Sequence, residues 1–190
     1  MYYVLQVAPG KEDKTEALMM VILPEALYGE CFHLMRHMRK KFHGKWVDMR
    51  EKLLPGYVFI TTENAEELFL ELKKVPMLTN ILGRDGWNFA EMADCDVEWL
   101  EKIREYGIQD VADGNKMDNE AVPWYEVGLS RVRVEEGKQI KVMSGPLKGI
   151  EGMVKKIYLH RRMAEVEIPF MRRKTVIYLG IELLGKNGEI

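Results

Sequence analysis

The chain predicts an α+β fold, an N-terminal antiparallel sheet with helices on its faces, followed by a small all-β barrel. Three observations carry this. Residues 1–106 alternate between strand-like and helix-like hydrophobic patterns. Residues 131–190 hold only short alternating runs, separated by Gly, Pro and basic turns. Residues 107–130 show no periodicity and include Asp113-Gly114-Asn115, so they read as a linker between two domains.

Tyr2 to Val7 reads as a strand with Val4, Leu5 and Val7 apolar, closed by Pro9-Gly10. From Lys11 to Leu23 a helix is expected with Ala17, Leu18, Val21 and Ile22 on its buried face, and Pro24 ends it. Cys31 to Lys41 and Trp46 to Lys52 flank the turn His43-Gly44-Lys45 as a hairpin with a basic tip. Leu53-Leu54-Pro55-Gly56 makes a corner before a strand from Tyr57 to Thr61. Asn64 is placed to cap a helix over 65–74, with Glu67 three residues on and Leu68 and Leu72 inside. A short strand is expected next. Asp94 then starts a third helix, marked by Val97, Leu100 and Ile103 and ending near Tyr106.

Beyond the linker, Ile140 and Val142 alternate with Lys141, and Ser144, Gly145, Pro146 and Gly149 build a turn. A second strand is expected from Ile150 to Leu159, then others from Ala164 to Ile168 and from Thr175 to Leu179. Positive charge sits in the connections, His160-Arg161-Arg162 and Met171-Arg172-Arg173-Lys174. If the barrel closes on this pattern, Lys155, Lys156, His160, Arg161, Arg162, Arg172, Arg173 and Lys174 gather at neighbouring strand ends.

The net charge of −2 conceals an asymmetry. Residues 131–190 carry 13 Lys plus Arg against 7 Asp plus Glu, net +6; the rest carries 15 against 23, net −8. The basic part is the natural candidate for phosphate contacts. No apolar run approaches the ~20 residues of a membrane span, and no secretory signal is visible, so a cytoplasmic protein is expected. Cys31 and Cys95 stand in unrelated contexts, which argues against a disulfide framework.

Catalytic motifs are missing. Gly145 to Gly152 lacks the Gly-Lys-Ser/Thr ending of a phosphate-binding loop, and neither G-x-G-x-x-G nor G-x-S-x-G occurs. Glu98, Glu101 and Glu105 read as a solvated helix face. Cys31, His33 and His37 would share one face of a strand with His43 at the following turn, but only His33-x3-His37 has zinc-like spacing. Surface histidines on a basic hairpin are the preferred reading. Neither a metal, a cofactor nor an enzymatic activity is expected.

Two segments carry a family resemblance. Gln139 to Ile157, with its Gly145-Pro146-Leu147-Lys148-Gly149 turn, resembles a KOW motif. Tyr2-Tyr3-Val4-Leu5-Gln6, the run Leu53-Leu54-Pro55-Gly56-Tyr57-Val58-Phe59-Ile60, Val75-Pro76 and Ile81-Leu82-Gly83 resemble the N-terminal domain of NusG-type transcription factors. The order of the two matches is that of the family. The resemblance implies domains over 1–106 and 131–190, and a patch containing Tyr3, Leu54, Pro55 and Tyr57 that grips the clamp helices of RNA polymerase. In general factors of this kind the KOW domain engages a ribosomal protein or a termination factor and is not usually so basic. That departure resembles specialised paralogues of the LoaP antiterminator type. It implies RNA contact, expected at a leader hairpin of the nascent transcript, through Lys148, Lys155, Lys156, His160, Arg161, Arg162, Arg172, Arg173 and Lys174. The apolar stretch Ala17 to Leu23 argues against reading of DNA by the first helix. A monomeric elongation and antitermination factor is the expectation, with a general factor or a ribosome-associated RNA-binding protein as the alternatives.

Overall fold

Tyr2–Gln6 forms strand β1, whose central residues are buried on both sides of the sheet. The computed structural model describes residues 1–76, 78, 89–112, 125–135 and 139–184, with side chains of the third helix to Tyr106 only. Ile81-Leu82-Gly83 and residues 113–124 of the expected linker, Trp124 among them, lie outside the described residues. The chain divides into two compact units, residues 1–34 with 54–93, and residues 35–53 with 94–190.

In the first unit β1 pairs antiparallel with β5 (Tyr57–Thr61) and with β6 (Phe89–Glu91), and β5 also pairs with β2 (Cys31–Phe32). The sheet order is β2-β5-β1-β6. Period-two alternation sends Tyr3, Leu5, Val58 and Ile60 to one face. There they meet Met19 and Leu23 from α1 (Glu12–Ile22) and its end, and Leu68 and Leu72 from α2 (Ala65–Leu72). The Asn64 cap forms as expected: its Oδ1 accepts the Glu67 N–H at 3.3 Å, and its Nδ2 donates to Glu67 Oε2 at 2.8 Å.

Helix α1 corrects one expectation. Val21 is 82% exposed and Ala17 is also exposed, while Glu12, Thr15 and Met19 are buried. An unbroken apolar run from Ala17 to Leu23 carries no phase, so the inward stripe could not be read from it.

The second unit holds two sheets. Residues Met35–Phe42 (β3) and Lys45–Lys52 (β4) form the expected hairpin, turning through His43 and Gly44 at φ +46° and +83°. Strand β7 (Glu126–Val127) adds to β3 in parallel. The larger sheet runs β10 (Val154–Tyr158), β11 (Met163–Phe170), β12 (Arg173–Leu184), β8 (Ser130–Val134), β9 (Ile140–Ser144). Antiparallel pairing dominates it, but β12 and β8 run parallel, with Ile181 opposite Ser130. Pro146–Met153 is a 3-10 segment, so the expected strand from Ile150 begins only at Val154. Leu147 and Ile150 are buried from that segment rather than from a strand. Strand β11 alternates between half-buried and buried along all its length, placing Ala164, Val166, Ile168 and Phe170 in the core of a small all-β domain.

The third helix, α3 (Asp94–Ala112), runs past Tyr106, and both it and the β3–β4 hairpin pack with this β domain. The units therefore do not follow contiguous stretches of sequence. Trp99 meets Phe170 edge-on at 6.3 Å, and Arg36 donates to the Tyr178 carbonyl at 2.7 Å. A Cβ on Gly180 would stand 2.4 Å from the His37 carbonyl oxygen, so only glycine admits the hairpin backbone so close to β12. Glu182, nearly buried, binds Arg39 at 2.6 Å and faces Arg131 at 4.0 Å. Among the described residues, no helix is long and apolar enough to cross a membrane.

Candidate nucleic-acid interface

Strand β11 separates the basic turns. His160, Arg161 and Arg162 precede its first residue, whereas Arg172, Arg173 and Lys174 follow its last. Eight strand residues at ~3.3 Å rise put the two turns roughly 23 Å apart. The single cluster expected at neighbouring strand ends is thus two clusters, because β11 is a full eight residues long and both turns join its opposite termini.

At the near end, cations lie over aromatic rings. Lys156 Nζ sits 4.9 Å from the Tyr158 ring centroid, and the Arg161 guanidinium 5.7 Å from it. Arg162, in the left-handed region at φ +55°, places its guanidinium 5.4 Å from the Trp46 ring of the hairpin. Such contacts orient a guanidinium without neutralising it. The Tyr158 hydroxyl donates to Glu165 Oε2 at 2.9 Å, and this bond, ahead of desolvation, raises the phenol pKa. His160 and Arg161 are exposed.

At the far end, carboxylates and backbone take up more of the chemistry. Lys174 and Lys155 both pair with Glu167, at 3.1 and 3.2 Å, and their hydrogen bonds hold its carboxyl below the usual range. Lys148 pairs with Glu151 at 3.6 Å. Met171 and Arg172 both adopt positive φ, +51° and +61°, in a two-residue turn between the paired Phe170 and Arg173. The Met171 N–H donates to Asp96 Oδ2 on α3 at 3.0 Å. Arg172 and Arg173 are exposed.

The apolar corner in the first unit departs from its expected display. Leu54 is 6% exposed and Tyr3 is buried against Phe89, with ring centroids 5.0 Å apart. Pro55 is exposed and Tyr57 half-buried. Gly56, at φ +87°, is held from two sides: its N–H donates to Glu12 Oε1 at 2.6 Å, and its carbonyl accepts the Val7 N–H at 2.8 Å. That anchoring folds Leu54 inward. A fully buried Glu12 organising the corner had no sequence signal, since an acid in a first helical turn ordinarily reads as surface charge favoured by the dipole.

The histidines do not share a strand face. His33 lies in the first unit, its ring nitrogens 2.5 Å from Glu16 and 3.3 Å from Asp13. His37 lies in the second, with Nε2 3.1 Å from Glu126 and its pKa lowered chiefly by burial. Burial pushes the Cys31 thiol up to about 12, so it stays protonated at neutral pH.

Comparison with known proteins supplies the family. Among solved structures, one from Thermotoga maritima described as "Domain interaction in Thermotoga maritima NusG" is 20% identical, covering 94% of this chain and 92% of that one, at a TM-score of 0.47. Another, described as "Crystal Structure of MjSpt4:Spt5 complex conformation B", is 11% identical over 93% and 90%, at 0.30. A "Transcription termination/antitermination protein NusG" of Neisseria meningitidis is 20% identical over 97% of both chains. The family described as "Transcription termination factor nusG" matches residues 1–101, and the KOW motif matches residues 136–168. With more than half of its length matched by the first of these, the chain belongs to the NusG family of transcription factors.

Proposed function

We propose that the chain is an elongation and antitermination factor that holds RNA polymerase through residues 1–106 and RNA through the basic β domain of residues 131–190. One observation carries the RNA half. Arg161, Arg172 and Arg173 are exposed, and no described carboxylate pairs with them, in a domain of net +6. A guanidinium left in this state can bridge phosphates or stack on unpaired bases. Polymerase contact rests on family membership and on the corner where Pro55 and Tyr57 remain accessible. The factor would promote processive transcription by preferring one polymerase conformation, and its effect is bounded by its differential affinity for the two states. RNA binding would select the operons on which it loads.

The test titrates wild type and an Arg161→Gln/Arg162→Gln/Arg172→Gln/Arg173→Gln variant with nascent leader RNA at two salt concentrations. If n phosphates are neutralised, log K falls against log salt with a slope between about −0.7n and −0.9n, and the variant flattens it. Equal weak binding by both proteins would return the β domain to a protein partner, as in a general factor. Polymerase capture by the full chain should weaken in Tyr57→Ala. Leu54 is left intact there, because its burial would confound binding with folding.

A further inference from the structure

The β3–β4 hairpin tip has no assigned role, yet it is the most aromatic exposed surface among the described residues. Phe42, Trp46 and Val47 are exposed there, Trp46 by 39%, alongside Lys40, Lys41, His43 and Lys45. Strand register separates them into two faces. Phe42 pairs with Lys45 and Lys40 with Val47 on one, while Lys41 pairs with Trp46 on the other. Lys40 is bound to Glu51 and Asp48 to Arg39, at 2.8 Å for the latter. No described carboxylate pairs with Lys41 or Lys45. On the Trp46 face the hairpin meets the turn at the near end of β11, where Arg162 lies over the indole.

We propose that Trp46, with Lys41 beside it and Arg162 over its ring in the turn that also carries Arg161, forms a stacking site for an unpaired base of single-stranded RNA; this deepens the RNA-binding reading and rests on it. The chemistry selects the ligand. An indole offers a face to any base, and stacking is tolerant of sequence. Arginines held over the Tyr158 and Trp46 rings have their planes oriented while their charge stays available for phosphate. Lys41 supplies a further cation on the same face of the hairpin. A duplex, with its bases paired and stacked, could use the cations but not the indole. The site thus adds a means of distinguishing loop from stem to an otherwise electrostatic surface. It lies wholly within the second unit, and joins a hairpin from the N-terminal half of the sequence to the basic turn of the C-terminal half.

The experiment uses the full chain with two labelled probes, an oligouridine RNA of roughly a dozen nucleotides and a blunt RNA duplex of the same length. Trp46→Ala should weaken oligouridine binding about tenfold, leave duplex binding unchanged, and keep the salt slope of the wild type, since no charge is removed. Trp46→Phe should recover most of the loss. Arg161→Gln/Arg162→Gln should instead flatten the slope for both probes. A Trp that merely braces the hairpin would not discriminate between single strand and duplex, so equal losses for both probes overturn the inference, as does an unchanged oligouridine affinity in Trp46→Ala. Wild type that binds the duplex but not oligouridine also overturns it, while leaving the RNA-binding reading intact. Binding of neither probe overturns it as well, and the RNA-binding reading then stands or falls on the leader-RNA titration above.

Discussion

The two ends of β11 carry similar sequences, each with consecutive arginines, but the structure uses them differently. At the near end Arg161 and Arg162 lie over aromatic rings, one of them supplied by the hairpin. At the far end the turn is fastened to α3 by Asp96 and by the Trp99–Phe170 contact, and Lys155 and Lys174 share Glu167. A ring orients a cation and leaves its charge free, whereas a carboxylate cancels part of it. Charge count alone would rank the two turns together. Their neighbours separate them: rings orient the cations of the near end, while at the far end the lysines share a carboxylate, the turn is fastened to the helix, and Arg172 and Arg173 stay exposed.

Removing the fastening at the far end perturbs the molecule most. Trp99 is fully buried and has lost all contact with water. Trp99→Ala should destabilise the second unit by about 3–5 kcal/mol, measured as a fall in the denaturation midpoint. Trp99→Phe should cost much less. Its smaller volume is partly offset because the buried indole Nε1 has no partner among the described residues, and phenylalanine deletes that unpaired donor. Should Trp99→Ala leave stability unchanged, α3 would not be fastened at the far end.

How much of this was legible beforehand depends on the range of the interaction. Strand β5 and the Asn64 cap follow from residues close in sequence, and they formed where the pattern put them. Helix α2 likewise buries Leu68 and Leu72. What failed was non-local. Leu54 turned inward because Glu12 reaches the Gly56 N–H across 44 positions of sequence. Trp46 gave only a strand signal, since the cation over its ring comes from position 162. The separation of the two basic turns depended on the length of one strand, which the sequence pattern placed at Ala164 to Ile168 and which extends to Met163–Phe170. Helix α1 hides its phase for the opposite reason, an apolar run too uniform to indicate a face.

A milder perturbation removes the acceptor. Asp96 is buried, stands in the first turn of α3, and receives the Met171 N–H. Asp96→Ala should cost about 1–3 kcal/mol by leaving that donor unmet, with a further loss from the helix dipole. Asp96→Asn keeps an oxygen in place and should recover a large part of it. Hydrogen exchange at Met171 gives the local readout: protection should fall in the alanine variant and return in the asparagine one. If protection at Met171 is the same in all three proteins, Asp96 does not set the turn.

The smallest expected effect is the most discriminating, because it concerns the turn residues themselves. Two-residue hairpin turns with both φ positive favour Asn-Gly, since side chains beyond Asn meet a steric penalty in that conformation. The β3–β4 turn has Gly44 at its second position, whereas the β11–β12 turn has Met171 and Arg172. Replacing them together, as Met171→Asn/Arg172→Gly, should therefore stabilise the fold by about 1 kcal/mol, after the extra freedom that glycine gives the unfolded chain is subtracted. For a chain of this size that raises Tm by roughly 2–4 °C. The same variant deletes one exposed arginine at the far end and none at the near end. If single-stranded RNA meets only the near end, where the Trp46 site lies, affinity for a single-stranded probe should stay within about twofold and the salt slope should hardly move. A loss approaching tenfold, with a slope reduced by nearly one phosphate, would instead mean that Arg172 contacts RNA. The unfavourable turn would then be kept for the arginine it displays, and the two ends of β11 would form one extended binding track.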